Sequence, residues 1–588
     1  MDVKRRNGHR PRVLLTASYG PNDLGWGEDM YDLMTSRLGR GHGPFQITSH
    51  CHYFALYLIA ENISCPTTVL ENPHWDEFAR ELDEGYEVVG FQLKSLHTAK
   101  IARMMKRVRE KLPRTKIVVG GYGVSTLATP VPGDRNGDAV YIRENADYLC
   151  REEGVGFMRR ILDDTPLDRE ITQYPLPMTG FSMAGLDVQA RVPTILVSLG
   201  CPNACDFCNT SAFFHNKKLY VAEPAQVYRF MKNYQARLRS DNLVVILFDE
   251  DFFLNREYVR ELGRLLRSDR RTWGISYFTF GGVRSLSQFE PEELRDNGLS
   301  FVWIGVESFL TGADLTDDHY GKRKGAEVKE LFDKLHRNGI GTVASLVLGF
   351  DFHDRENLKQ DIDRFVALKP EAYQISPLTP CPGTPLYDRM LEEGRILDSY
   401  RWEDFNLWKD DVFALKNLKP GEVQTFFGYA HQQLTDVNGP QALMLLEVAL
   451  DYLIKSKGKR DAFHVYKADL ARKRASALAA YLPAVIRYHR SETVRERARM
   501  LERRIREEVG SPPWYARIAA PYLSRRIAKN IETPPAPVVS DPPPRWSYYR
   551  TFDDRIWVKK GRRASGPVPY RDRFSPSREI ARIFRGQT

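Results

Sequence analysis

Two stretches of the chain alternate short, β-branched apolar runs with longer segments whose apolar residues recur every three or four positions. The first fills roughly the opening 165 residues. Apolar runs at Arg12–Ser18, Thr67–Glu71, Val88–Leu93, Lys116–Gly120 and Asp147–Cys150 predict strands. Between the third and fourth, HTAKIARMMKRVREKLP sets Ile101, Met104, Met105, Val108 and Leu112 at helical spacing and stops at Pro113. Five strands separated by helices predict an α/β domain with a parallel, doubly wound, Rossmann-like sheet, and such sheets bind ligands beyond the carboxyl ends of their strands. Those ends read Ser18-Tyr-Gly-Pro-Asn-Asp, Lys94-Ser-Leu-His and Gly120-Gly-Tyr-Gly-Val-Ser-Thr, where glycine lets backbone come close to a ligand.

The second series begins near Pro193. Strands are predicted at Thr194–Leu199, Leu243–Phe248, Gly274–Phe280, Phe301–Val306, Gly341–Leu348 and Ala372–Ser376, separated by amphipathic helices such as EPAQVYRFMKNYQARL and RENLKQDIDRFVALK. Six β/α units predict a (β/α)6 partial TIM barrel with its chemistry at the strands' carboxyl face. From about 400 to 530 the pattern is helical and increasingly rich in arginine. TPPAPVVSDPPPRW then reads as a proline-rich linker, and the basic tail to Thr588 as irregular. The expected layout is a Rossmann-like domain over 1–165, a linker over 166–190, the partial barrel over 191–398, a basic helical C-terminal domain over 399–530 and a linker with a basic tail over 531–588.

Composition adds location and charge. The 588 residues are 42% hydrophobic and 28% charged, an ordinary globular mix. No apolar run is long enough to span a bilayer, and the start, MDVKRRNGHRPRVLLTASYG, is too β-like for a signal peptide, so a cytoplasmic protein is expected. The net charge of +10 is uneven: residues 451–530 hold 20 Lys/Arg against 8 Asp/Glu, and residues 531–588 hold 12 against 6. A helical cap over the active site is the first reading of the basic region. An anionic membrane surface, with the protein peripheral to it, is the second, and nucleic acid is the least favoured partner.

Three of the seven cysteines, Cys201, Cys205 and Cys208, stand as C-x3-C-x2-C directly after the first barrel strand. Thiolates on one loop suit an iron–sulfur cluster. A zinc site would want a fourth ligand, for which His215 is near in sequence. Cys51, Cys65 and Cys150 read as small buried apolar residues.

This spacing, with Phe207 just before the last cysteine, resembles the signature of the radical S-adenosylmethionine (SAM) enzymes. The resemblance implies a 4Fe–4S cluster with three cysteine-bound irons, a fourth iron open to SAM, and a 5′-deoxyadenosyl radical made by one-electron cleavage of SAM. It implies an electron donor such as flavodoxin or ferredoxin, and a small-molecule or lipid substrate. It continues along the barrel: Asp249 in Leu247-Phe248-Asp249-Glu250-Asp251-Phe252-Phe253 looks like the acidic segment that seats SAM, and Ile304-Gly305-Val306-Glu307-Ser308 like the glycine–glutamate strand end. Ser345-Leu-Val-Leu-Gly349-Phe and Thr379-Pro-Cys-Pro-Gly-Thr-Pro-Leu-Tyr387 look like the elements that follow. Phe207, Asp249 and Glu307 are thereby implied as SAM contacts. Cys381, at a strand end, is a weak candidate for a catalytic thiol, against which stands a packed bystander.

A doubly wound domain placed before this barrel resembles the cobalamin-dependent branch of the family. That implies cobalamin beside the barrel mouth and methyl transfer to an unactivated carbon, the alternative being a non-methylating rearrangement, cyclisation or coupling. Ser95, Gly120, Gly121 and Ser125 are the implied cobalamin contacts. The D-x-H-x-x-G pattern of many cobalamin proteins is absent, and His97 reads as a polar residue at a helix start. Rival readings are a methylthiotransferase, which would carry a second cluster on three N-terminal cysteines, and a cobalamin or redox sensor with the barrel as scaffold.

Overall fold

The computed structural model describes residues 10–20, 42–45, 47–174, 176–183, 186–310, 328–407, 412–511, 513–532, 548–551, 561–563 and 566–568. Its strands are β1 (Val13–Thr16), β2 (Ile47–His50), β3 (Thr67–Leu70), β4 (Val88–Gln92), β5 (Lys116–Gly120), β6 (Tyr148–Leu149), β7 (Met178–Met183), β8 (Leu186–Leu196), β9 (Ser198–Leu199), β10 (Leu219–Tyr220), β11 (Leu243–Phe248), β12 (Ile275–Gly282), β13 (Leu299–Glu307), β14 (Gly341–Leu348), β15 (Ala372–Pro377) and β16 (Tyr548–Arg550), followed by a small hairpin of Gly561–Arg563 and Gly566–Val568.

The five N-terminal strands pair in the order β3-β1-β4-β5-β6, all parallel. Val13, Leu14, Val88 and Val89 are wholly buried, as strands covered on both faces must be. Helix Thr98–Lys111 turns Ile101, Met104, Met105 and Val108 onto the sheet, the face its spacing predicts. The order reverses between β1 and β4, which puts the crevice for a ligand at their carboxyl ends.

A second sheet runs β15-β14-β13-β12-β11-β8-β7-β2. From β8 to β15 every pair is parallel and in chain order, giving a curled half-barrel. Helices Pro224–Leu238, Arg256–Ser268, Val328–Arg337 and Arg355–Ala367 cover its outside. Their starts are fixed locally: Asn255 accepts the Tyr258 N–H at 3.0 Å, and Asp354 accepts those of Glu356 and Asn357.

Three expectations are corrected. Residues 166–190 are more than a linker: β7 and the start of β8 form an antiparallel hairpin that, with β2, widens the barrel sheet. The C-terminal helices pack at the amino ends of the barrel strands and do not cap the active site. Tyr466 Oη donates to the Asp241 carbonyl at 3.0 Å just before β11, Phe463 meets Trp273 just before β12, and Lys455 reaches Asn338 just before β14. The residues from about 396 to 423 stay at the other end: Tyr400, Trp402, Phe405 and Phe413 join the N-terminal core, and Leu415 and Val423 lie against Gly349 just after β14. Third, the basic tail is ordered at β16, which pairs antiparallel with β3; Tyr549 is buried against Tyr57, and Arg550 bonds Glu81 at 2.7 Å. The proline-rich 533–546 and Pro21–Asp23 of the first loop lie outside the described residues.

The Arg-rich helices are largely matched by carboxylates on their neighbours, as in Arg504–Asp451, Lys457–Glu508 and the close Arg497–Glu447 pair. Among the described residues no helix is long and apolar enough to cross a membrane.

Candidate active site

The cysteine loop is built by its glycine and closed by a strand pair. Gly200 sits at φ 78°, and a Cβ there would lie 2.1 Å from the Lys217 carbonyl oxygen, so only glycine fits. Antiparallel β9 and β10 pin the two ends of the excursion. Inside it, Ala204 is left-handed, the Cys208 N–H donates to the Cys205 carbonyl at 3.0 Å, and Cys208 heads the short helix Asn209–Phe213. The segment after β15 clamps the loop: the Leu386 N–H donates to the Asp206 carbonyl at 3.0 Å, and Arg389 bonds the Asp206 carboxylate at 2.9 Å. Cys201 and Cys205 are buried and Cys208 half-buried. Phe207 stands edge-on to Phe350 with centroids 6.0 Å apart.

Among the described residues, no three His, Cys, Asp or Glu side chains gather as ligands of one metal ion. Three thiols on one loop are a donor set that fits an iron–sulfur cluster.

The acidic run after β11 is almost fully engaged. Asp249, 2% exposed, accepts Ser198 Oγ at 2.7 Å, Lys218 Nζ at 2.6 Å and the Asp251 N–H at 3.0 Å. Asp251 accepts Asn203 Nδ2 at 2.9 Å and Ser285 Oγ at 2.6 Å. These acids tie the cysteine loop to the ends of β11 and β12. Ser198, Asn203, Lys218 and Ser285 carry no family pattern of their own, and only the fold brings them to the acids. Glu307 ends β13 in the left-handed region at φ 61°, beside a register shift, and is 8% exposed. Such backbone costs a non-glycine residue about 1–3 kcal/mol and gathers at functional sites.

The barrel's inner wall is aromatic. Phe248 stacks on Phe280 at 5.7 Å, Phe280 on Trp303 at 5.3 Å, and Phe54 reaches Phe248 at 6.1 Å. The intervening Leu247, Thr279 and Ile304 point the other way and are fully buried. Trp303 Nε1 donates to Ser345 Oγ at 2.6 Å.

The N-terminal sheet presents its carboxyl edge to this site. In the loop after β5, Tyr122 packs edge-on to Phe213 at 5.4 Å and to Phe214 at 6.2 Å, and its hydroxyl lies 3.5 Å from Glu250. Burial, then the Glu250 charge, pushes the Tyr122 phenol far above its usual range, so it stays protonated as a donor. Tyr387 Oη donates to the Pro130 carbonyl at 2.8 Å. An open cleft of about 500 Å³ lies at the junction, lined by Ser125 and Arg151, by Ala204 and Cys205, and by Gly383 and Pro385.

Of the expected N-terminal contacts, Ser125 thus shares a cleft with Cys205, while Ser95, Gly120 and Gly121 do not line it. Ser95 is buried. A Cβ on Gly120 would meet the Cys150 Cβ at 3.3 Å, and one on Gly121, at φ 97°, would meet the Leu93 carbonyl oxygen at 2.8 Å, so both glycines answer to packing. His97 is buried and kept neutral by burial, then by Lys94 and Lys100. Cys381 is buried, and its carbonyl accepts Thr384 Oγ1 at 2.7 Å.

Sequence reasoning marked the strand end at Ser18 but missed its companions Asn72 and Gln92 at the crevice. Ser18 Oγ beyond β1, both amide atoms of Asn72 beyond β3, and Gln92 Oε1 at the end of β4 are buried with no hydrogen-bond partner. The strand registers Thr16↔Leu70 and Thr16↔Phe91 set them side by side. Orphaned buried polar atoms are rare, and their gathering at a switch point fits a polar ligand. The readable signal was a polar residue closing each of three apolar strands.

Residues 195–365 match the model of the Radical SAM superfamily. The match places a radical SAM domain within this chain, and enzymes built on that domain draw an electron from a reductant and act on small molecules. The chain is 23% identical over 329 residues to a bacteriochlorophyllide d C-12(1)-methyltransferase of Chlorobaculum tepidum, covering 55% of this chain and 69% of that protein. It is 24% identical over 330 residues to an anaerobic magnesium-protoporphyrin IX monomethyl ester cyclase of Cereibacter sphaeroides, covering 53% of this chain and 50% of that one. Among solved structures, the radical SAM methyltransferase TsrM of Kitasatospora setae, with cobalamin and a 4Fe–4S cluster bound, is 14% identical. It covers 80% of this chain and 100% of that chain with a TM-score of 0.47, a likeness that carries no weight of its own.

Proposed function

We propose that this protein is a cobalamin-dependent radical SAM C-methyltransferase acting on a largely apolar substrate. One observation carries the reading: the carboxyl edge of the N-terminal sheet, with its orphaned polar atoms, is packed through Tyr122 and Ser125 against the cysteine loop of a radical SAM domain. Two cofactor-binding edges that face each other across one cleft suit a reaction that needs both cofactors at one substrate.

In this reading Cys201, Cys205 and Cys208 hold three irons of a 4Fe–4S cluster. Phe207, Glu307 and the strand end fixed by Asp249 seat SAM. Ser18, Asn72, Gln92 and Ser125 hold cobalamin, while Ser95, Gly120 and Gly121 shape the crevice from behind through their packing. When bound, the cluster supplies the electron that cleaves SAM, and cobalamin supplies the methyl group. The chain's own work is positioning and exclusion. Lys218 and Ser198 lock Asp249, so the turn after β11 is rigid before any ligand arrives. The wall of Phe54, Phe248, Phe280 and Trp303 offers stacked flat surface and few groups that hold water. It suits a planar or extended apolar substrate, in keeping with relatives that act on bacteriochlorophyllide and magnesium-protoporphyrin. Cys381, buried and hydrogen-bonded through its backbone, serves as packing. A flavodoxin or ferredoxin is the expected reductant.

A peripheral membrane location has its own support. Helix Trp514–Glu532 exposes Trp514, Ile518 and Tyr522 at spacings of four, beside Arg517, Arg525 and Lys529. An apolar stripe flanked by cations suits an anionic lipid surface, from which an apolar substrate could be drawn. Sedimentation with anionic vesicles should fall sharply for Trp514→Glu and with rising salt.

The main test is anaerobic reconstitution with iron, sulfide and hydroxocobalamin. About four irons and one cobalamin per chain, with SAM-dependent formation of 5′-deoxyadenosine, are expected. A chain that holds iron but refuses cobalamin would leave a radical enzyme without methyl transfer.

A further inference from the structure

At the opposite end of the barrel from the cysteine loop, the C-terminal helices cover a small pocket of about 20 Å³. Its floor is the amino ends of the barrel strands: Asn242 before β11, Gly274 and Ser276 at β12, and Gly339 before β14. Three cations enter it. Arg295 comes from helix Pro291–Asp296, which leads into β13. Lys467 and Arg474 come from one face of helix Ala462–Leu478, seven residues apart.

No carboxylate lines this space. Lys467 is 4% exposed and Arg295 8%. Among the described residues neither these two nor Arg474 forms an ion pair, and Arg295 Nε is buried with no partner. What they have instead is aromatic: the Arg295 guanidinium lies 4.5 Å from the Tyr452 ring centroid, and Lys467 Nζ 5.5 Å from that of Phe463. Asp296, whose charge reaches Lys467, is itself held by His464 at 3.3 Å, and Glu292 is shared by Lys455 and Lys459. Burial, and then repulsion by Arg295 and Arg474, pulls the Lys467 ammonium down to about 7; burial, and then Arg295, pulls Arg474 down to about 10. Buried charges are ordinarily paired; with no anion beside it this cluster relieves its repulsion by releasing the Lys467 proton near neutral pH, and a bound anion would keep that proton in place.

We propose that this space is a binding site for a small oxyanion of the phosphate or sulfate class, which the guanidinium forks of Arg295 and Arg474 and the ammonium of Lys467 grip together. The anion joins the helical C-terminal region to the underside of the barrel. It lies at the strand ends away from the chemistry, so its role is in assembly.

The test uses the full chain with its cluster in place, in chloride buffer of fixed ionic strength, titrated with inorganic phosphate. Equilibrium dialysis with labelled phosphate should find about one per chain, and melting should rise saturably by ~2 °C or more. Lys467→Met should lose both signals, yet melt in chloride alone at or above the wild type, because it discards an unpaired buried charge. Should that variant fail to fold, Arg474→Gln should weaken phosphate at least ~10-fold, about 1.4 kcal/mol. Wild-type protein that binds no phosphate, or variants that bind it as the wild type does, would overturn the proposal. Neither outcome bears on cobalamin or on the cysteine loop.

Discussion

The two rims that face each other across the cleft handle polar groups in opposite ways. On the barrel side, Asp249 and Asp251 are saturated by Ser198, Lys218, Asn203 and Ser285. On the N-terminal side, Ser18 Oγ, the Asn72 amide and Gln92 Oε1 are buried atoms with no hydrogen-bond partner among the described residues. A saturated acid is part of the frame, and its removal should damage the fold. An unsatisfied amide or hydroxyl is a receptor, and its removal should spare the fold and harm only the ligand. Acidic residues that a family pattern marks as ligand contacts can thus be scaffold, while the receptors lie in unmarked polar residues at strand ends.

That contrast can be broken by substitution. The largest effect belongs to the cysteine loop: Cys205→Ala should take iron from about four per chain to near zero and abolish SAM cleavage, measured by iron assay and 5′-deoxyadenosine release. Next, Asp249→Ala strands Lys218, whose side chain is 9% exposed, and should cost ~3–5 kcal/mol in urea unfolding of the iron-loaded protein. If Asp249→Ala instead folds normally and only SAM binding weakens, the saturated rim is a receptor after all.

A milder case is Asp164, bonded by Ser64 and Arg169. Burial opposes its ionisation, but Arg169 and Ser64 outweigh burial and hold the carboxyl at about 2, below its usual 3.8. A depressed carboxyl adds stability that is fully present above about pH 4 and fades as pH falls through about 2. Asp164→Asn should therefore cost ~1–2 kcal/mol at pH 7 and nearly nothing at pH 2, read from unfolding midpoints across that range. The smallest effect on stability is expected at the other rim. Ser18→Ala and Gln92→Leu should shift stability by under ~1 kcal/mol while weakening cobalamin ~10-fold, measured by the visible spectrum of bound cofactor.

The sequence made the parallel strands plain because strands covered on both faces are unbroken apolar runs: LVVILF is β11 almost letter for letter. The cysteine loop was plain because its three thiols are adjacent in the chain. The antiparallel additions were hidden. ITSH of β2 and MTGFSM of β7 lack an apolar run, and β16 follows a stretch of prolines. The partners of Asp249 were hidden for a different reason: Lys218 lies 31 residues away and Ser198 lies 51, and only the stacking of β8 on β11 brings them in. Nor does composition tell which end of a barrel a basic helical region covers. Tyr466, Phe463 and Tyr452 decide that through single contacts at the amino ends.

β16 has a bearing on handling the molecule. Without Tyr548–Arg550, β3 would be a bare margin of the N-terminal sheet, its amides and carbonyls ready to pair with any extended segment nearby. The segment acts as a zip closed by Tyr549 and by Arg550 on Glu81. Trimming the polypeptide before residue 548 would leave both cofactor sites intact on paper and yield a protein that clumps.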